Sequence, residues 1–213
     1  MKDFLKNALE PLSYLIYAIS VFVMLHKTKS VKKEVLFVYY LVATLLITIA
    51  CYTHHDMVNI LTYNVFFFIT VCFFSWYFKS VLVSKPKKIV INIIFLINLA
   101  VFINISLVSH QLFGINNYVY AITYLSIVVY ALLYFDHVLR NVNELNLLHQ
   151  FDFWLVSGYL LYFLSCFFII LFYDNIEIAQ RAMLWSLQNI ILFISSVFTL
   201  SGSLWIRYQK KYY

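Results

Sequence analysis

The sequence predicts an all-α polytopic membrane protein, a seven-transmembrane-helix bundle with its N-terminus outside and its C-terminus cytoplasmic. Hydrophobic residues make up 64% of the 213 residues and charged residues only 11%, whereas soluble domains carry about 25% charge. The apolar residues fall into seven long runs separated by short polar loops. Because backbone groups in hydrocarbon must be bonded within their own segment, we expect these runs to be helices.

Each run is close to the ~20 residues that a helix needs to cross a bilayer. The predicted spans, in order, are Phe4–Leu25, Val35–Tyr52, Val58–Val81, Ile89–Ser109, Tyr118–Phe135, Phe153–Tyr173 and Ala182–Ile206. The first run is the least regular, because Lys6 and Glu10 interrupt it, and Pro11 suits the first turn of a helix. We expect the seven spans to form one domain over residues 1–213.

The basic residues predict the orientation, because they lie in every second loop. Twelve of the 15 Lys and Arg residues share one side: Lys27, Lys29, Lys32, Lys33, Lys79, Lys85, Lys87, Lys88, Arg140, Arg207, Lys210 and Lys211. The positive-inside rule places that side in the cytoplasm. Lysine clusters at cytoplasmic helix ends are typical of contact with anionic lipid head groups. The net charge of +6 therefore does not require a nucleic-acid partner.

Polar side chains within the spans form stripes, and these supply the candidate ligand-binding residues. In the second span they recur at steps of three and four, which places them on one face of a helix. The candidates are Tyr40, Thr44, Thr48, Asn64, Tyr124, Tyr162, Gln188 and Asn189. Two interpretations stay open. Small and polar residues can simply pack helices together, or the stripes can line a polar cavity that opens outward and holds a small ligand.

No Asp, Glu, Lys or Arg lies near the middle of any predicted span. Ion-coupled transporters and pumps usually depend on such a residue, so an uncoupled transporter or facilitator is the transport alternative. Ionisable residues gather in the outer loops instead, where His54, His55 and His110 accompany carboxylates and Glu10 heads the first helix. They are interpreted as solvated residues, with a metal site or a pH switch as the alternative. No cofactor or catalytic residue is predicted.

An intramembrane lipid hydrolase is the third alternative. The seven-helix alkaline ceramidase and adiponectin-receptor superfamily uses three His, an Asp and a Ser around zinc, with two of those His in its last helix. In this chain the last His is His149, before the sixth span. Bacterial lysoplasmalogenases have a similar size but need buried carboxylates, which we do not expect in these spans.

The stretch Phe153–Tyr162, with Leu184-Trp185 and Asn189-Ile190, resembles the end of small uncharacterised bacterial heptahelical membrane proteins, some of which accompany histidine kinases. The resemblance covers residues 153–190. It implies a sensory or accessory module of the bacterial inner membrane, with a histidine kinase or another membrane protein as its partner. We therefore expect a non-enzymatic protein that binds a small or lipid-like ligand and signals through that partner.

Overall fold

The computed structural model describes residues 8–25, 30–52, 56–104, 117–140 and 147–212, and all regular structure in these ranges is helical. Seven long helices follow one another: α1 Leu9–Leu25, α2 Val31–Tyr52, α3 Asp56–Val81, α4 Lys85–Ile103, α5 Asn117–Arg140, α6 Phe151–Phe172 and α7 Ile178–Tyr212. Short 3-10 turns precede and follow α6. The predicted all-α class and the seven helices are confirmed.

Six of the seven helices, α2 to α7, are long and apolar enough to cross a membrane. Helix α1 has 17 residues, which span about 26 Å at 1.5 Å per residue, close to the lower limit for crossing. The chain is therefore a multi-pass membrane protein.

The helices extend beyond the apolar runs that predicted them. Helix α2 begins at Val31 and takes in two lysines, although the apolar run starts at Val35. Helix α4 begins at Lys85, with Pro86 in its first turn, where a missing N–H costs least. Main-chain hydrogen bonding continues where side chains become polar, so hydropathy marks the membrane-buried part of a helix and not its ends.

Six helices close into a ring. Helix α1 packs against α2 and α7, α3 against α2 and α5, and α6 against α5 and α7. Helix α4 lies outside this ring against α3 and α5, and only Ile91 and Asn98 are buried on it. Successive helices run in opposite directions. Lys32 at the start of α2 donates to the Ser80 carbonyl oxygen near the end of α3, at 2.6 Å.

Aromatic side chains fill the middle of the ring. Tyr17, Tyr40, Phe74, Tyr77 and Tyr159, which we call the aromatic layer, are each at most 2% exposed. Tyr17 stacks on Tyr40 with ring centroids 5.0 Å apart, and Phe74 meets Tyr159 edge-on at 4.7 Å. The Tyr40 and Tyr159 hydroxyls are hydrogen-bonded to each other. This layer joins four helices of the ring, α1, α2, α3 and α6.

Small residues allow α6 and α7 to approach closely. The Ser195 hydroxyl donates to the Gly158 carbonyl oxygen at 2.7 Å. A Cβ atom on Gly158 would lie 2.7 Å from Thr199 Oγ1 and 3.2 Å from the Ser195 carbonyl oxygen. At this interface the polar stripe of the seventh span packs helices together, as the first of the two interpretations predicts.

One end of the bundle, which we call the basic end, carries most of the positive charge in the described ranges. It is formed by the ends of α1, α3, α5 and α7 and the starts of α2, α4 and α6. There Lys87 and Arg140 each pair with Asp136 at 2.7 Å. The Tyr77 hydroxyl donates to Asp152 Oδ1 at 2.8 Å, which ties α3 to the start of α6.

Candidate functional site

A group of polar side chains lies between the aromatic layer and the end opposite the basic end. Gln188 of α7 is at its centre and only 3% exposed. Its amide nitrogen donates to the hydroxyls of Tyr124 and Tyr162, at 3.3 and 3.4 Å. Gln188 lies ten residues from the start of α7, or about 15 Å along the helix. Three of the predicted candidates therefore meet from three different helices.

The carbonyl oxygen of Gln188 is buried and accepts no hydrogen bond from the described residues. Leaving a buried acceptor unpaired costs about 1–3 kcal/mol. Native proteins contain few such atoms. Because the two neighbouring phenols accept from the amide nitrogen, the oxygen is the free binding position of this side chain.

Glu10 lies in the first turn of α1 and is 4% exposed. Its carboxylate accepts a hydrogen bond from the Tyr63 hydroxyl at 3.2 Å. Tyr63 in turn meets Trp185, one turn before Gln188 on α7, edge-on with ring centroids 5.8 Å apart. We call Glu10, Tyr63, Tyr124, Tyr162 and Gln188 the polar site.

The burial of Glu10 corrects the sequence prediction, which placed it at the outer surface and expected no buried carboxylate. Helix α1 is nine residues shorter than α3, with 17 against 26, so its start can lie at the level of Tyr63 in the second turn of α3. A sequence signal exists. Glu10 shares the helical spacing of Tyr14, Tyr17 and Val21, all of which are buried.

Asn64 and Asn189 lie next to the polar site. Asn64 accepts a hydrogen bond from the Tyr120 hydroxyl at 2.7 Å, and Tyr120 stacks on Phe67 with centroids 4.1 Å apart. Asn189 is 1% exposed and follows Gln188, so it points about 100° further round α7. Asn64 therefore joins α3 to α5 at the edge of the site.

The second-span candidates are not brought into the polar site. Tyr40 belongs to the aromatic layer. Thr44 and Thr48 are half-buried, and their hydroxyls donate to the carbonyl oxygens four residues earlier, at 2.7 and 2.6 Å. The buried face of α2 runs instead through Ala43 and Ile47. The hydroxyls are satisfied within their own helix, so they do not require a ligand or a neighbouring helix.

Other polar groups offer less to a ligand. Asn98 bonds both the Ile94 carbonyl and the Ser126 hydroxyl, at 2.8 and 2.7 Å. Beside it a cavity of about 10 Å³ is lined by Asn98, Thr123 and apolar side chains. This volume is at the lower limit for one water molecule.

Among the described residues no three His, Cys, Asp or Glu side chains are grouped to hold a metal. The proposed metal ligands His54, His55 and His110 lie outside the described residues.

No protein-family model, curated protein or solved structure matches this chain. The resemblance of residues 153–190 to bacterial heptahelical proteins therefore stays a prediction. The polar site is defined by its own geometry.

Proposed function

We propose that this chain is a non-enzymatic sensory or accessory protein that binds a small or lipid-like ligand at the polar site and signals through a separate partner. The observation that carries the proposal is the buried carbonyl oxygen of Gln188, which accepts no hydrogen bond from the described residues. A ligand that donates a hydrogen bond to this oxygen would remove the cost of leaving it buried and unpaired.

The aromatic layer favours a receptor over a facilitator. Its five side chains are almost fully buried and are in mutual contact from α1, α2, α3 and α6. They separate the polar site from the basic end. A ligand bound at Gln188 would therefore change the packing next to the aromatic layer. A shift of those rings would then move the helix ends at the basic end.

We propose that the basic end is cytoplasmic, as the positive-inside rule implies, in the inner membrane of a bacterium. The polar site then lies in the half of the bundle that faces the outside. The lysines of the basic end would contact anionic head groups, and a histidine kinase or another membrane protein would receive the signal there. The resemblance of residues 153–190 supports that choice of partner.

A Gln188→Leu variant is expected to fold and to lose ligand-dependent stabilisation. The purified protein in detergent is heated with fractions of metabolite and lipid extracts, and Tm is measured for the wild type and the variants. Gln180→Leu is the matched control, because Gln180 is exposed on the same helix.

Asn189→Leu tests the neighbouring amide. The substitution should lower the free energy of unfolding by at most about 1 kcal/mol, since interhelical hydrogen bonds in membranes average about 0.6 kcal/mol.

The expected result is a fraction that raises Tm of the wild type and of Gln180→Leu but not of Gln188→Leu. Equal shifts in all these proteins would remove Gln188 from the binding site and leave it as a packing residue. Reconstitution of the protein in lipid vesicles distinguishes a sensory protein from a facilitator. Flux of the stabilising compound across the vesicle membrane would contradict a purely sensory role.

A further inference from the structure

We propose that the ligand of the polar site is a small organic ammonium ion, with its charged nitrogen held by Glu10 and an N–H group donated to Gln188. The inference rests on the proposed function and specifies the chemical class of the ligand. The charge, the hydrogen-bonding groups and the aromatic surroundings of the site each point to it.

No basic side chain in the described part of the chain pairs with Glu10. Its carboxylate is 4% exposed and has the Tyr63 hydroxyl as its hydrogen-bond donor, at 3.2 Å. The ion pairs found among the described residues both use Asp136, with Lys87 and Arg140, at the basic end. A carboxylate removed from water needs a cation, or it takes up a proton. A cationic ligand would meet that need.

The helix dipole of α1 does not explain why Glu10 is buried. A carboxylate in the first turn interacts favourably with the N-terminal end of its helix, and an exposed position would provide this benefit. Burial adds a desolvation cost that is larger than the dipole interaction. The position of Glu10 among aromatic rings therefore needs a second cause.

The surroundings of Glu10 suit a cation. Tyr63 meets Trp185 edge-on with centroids 5.8 Å apart. Tyr14, one turn after Glu10 on α1, is buried and meets Phe66 edge-on at 5.5 Å. Ring faces and phenol oxygens carry partial negative charge and attract ammonium groups. The Gln188 carbonyl oxygen adds a hydrogen-bond acceptor to which no residue in the described ranges donates.

The test uses n-butylammonium, its uncharged isostere 1-butanol, and tetramethylammonium, which has the charge but no N–H group. Each is titrated at constant ionic strength against the wild type, Glu10→Gln, Gln188→Leu and the control Glu177→Gln. Glu177 is exposed just before the start of α7, at the same end of the bundle. The readout is Tm of the full chain in detergent.

We expect butylammonium to raise Tm of the wild type and of Glu177→Gln by about 3 °C in a dose-dependent way. Butanol should give no such rise, and tetramethylammonium should give a smaller one because it cannot donate to Gln188. The rise should disappear in Glu10→Gln and weaken in Gln188→Leu.

Equal responses to butylammonium and butanol in the wild type, or no response to either, would overturn the inference. An equal butylammonium response in Glu10→Gln and the wild type would do so as well. These results leave the proposed function to its own test, in which Gln188→Leu is compared with Gln180→Leu against extracts. The comparison of the two compounds on wild-type protein stays decisive if Glu10→Gln does not fold.

Discussion

Gly158→Leu is expected to separate α6 from α7 and to lower the free energy of unfolding by about 3 kcal/mol or more. Even a single Cβ atom would lie 2.7 Å from Thr199 Oγ1 and 3.2 Å from the Ser195 carbonyl oxygen. A leucine side chain would have to occupy the space of α7. Gly158→Ala should cost about 1–3 kcal/mol for the same reason.

The measurement is unfolding in mixed micelles with increasing denaturing detergent. Ala100→Leu is the matched control, because Ala100 is exposed on α4 and a larger side chain there extends away from the bundle. Thr199→Ala should recover part of the loss in Gly158→Ala, since it removes the nearest contacting atom. If Gly158→Leu is as stable as Ala100→Leu, the close packing of α6 on α7 is incorrect.

Tyr159→Ala is expected to cost about 3 kcal/mol, the lower end of the range for deleting a buried ring. The Tyr159 ring contacts Tyr17, Phe74 and Tyr77, and its hydroxyl bonds Tyr40. Lipid is as apolar as the bundle interior, so the loss comes mainly from packing and less from transfer out of water.

Tyr159→Phe distinguishes the stability contributed by the ring from that contributed by its hydroxyl. This variant keeps the packing and loses the bond to Tyr40, so we expect a cost of only about 1 kcal/mol. Leu161→Ala is the control for truncation, because Leu161 is 45% exposed on the same helix. Unfolding of Tyr159→Ala and Leu161→Ala at the same detergent concentration would contradict the close packing of the aromatic layer.

The helices could be predicted because lipid imposes a simple rule on composition, but their ends could not. Helix α7 continues to Tyr212, six residues past the predicted Ile206. The segment from Arg207 onward is polar and still helical, because main-chain hydrogen bonding does not depend on side-chain polarity. The apolar run marks only the part of α7 that lipid can cover.

The candidate site could be predicted only in part. Gln188, Tyr124 and Tyr162 were recognisable because long polar side chains within a span need partners. Thr44 and Thr48 have the same periodicity, but a threonine hydroxyl can satisfy itself on its own helix, so a stripe of threonines does not specify a site. Glu10 was assigned to the surface because its depth depends on where α1 starts relative to α3, and local sequence does not determine that offset.

The location of the polar site relative to the two faces of the membrane is the central claim, and topology tests it most directly. Fusions to alkaline phosphatase and to a green fluorescent reporter are made after Tyr213, at the chain end that follows α7, and expressed in a bacterial host. With the basic end in the cytoplasm, the phosphatase fusion should be inactive and the fluorescent fusion should glow. An active phosphatase with a dark fluorescent fusion would put the basic end outside and the polar site toward the cytoplasm, contradicting a receptor for external ligands.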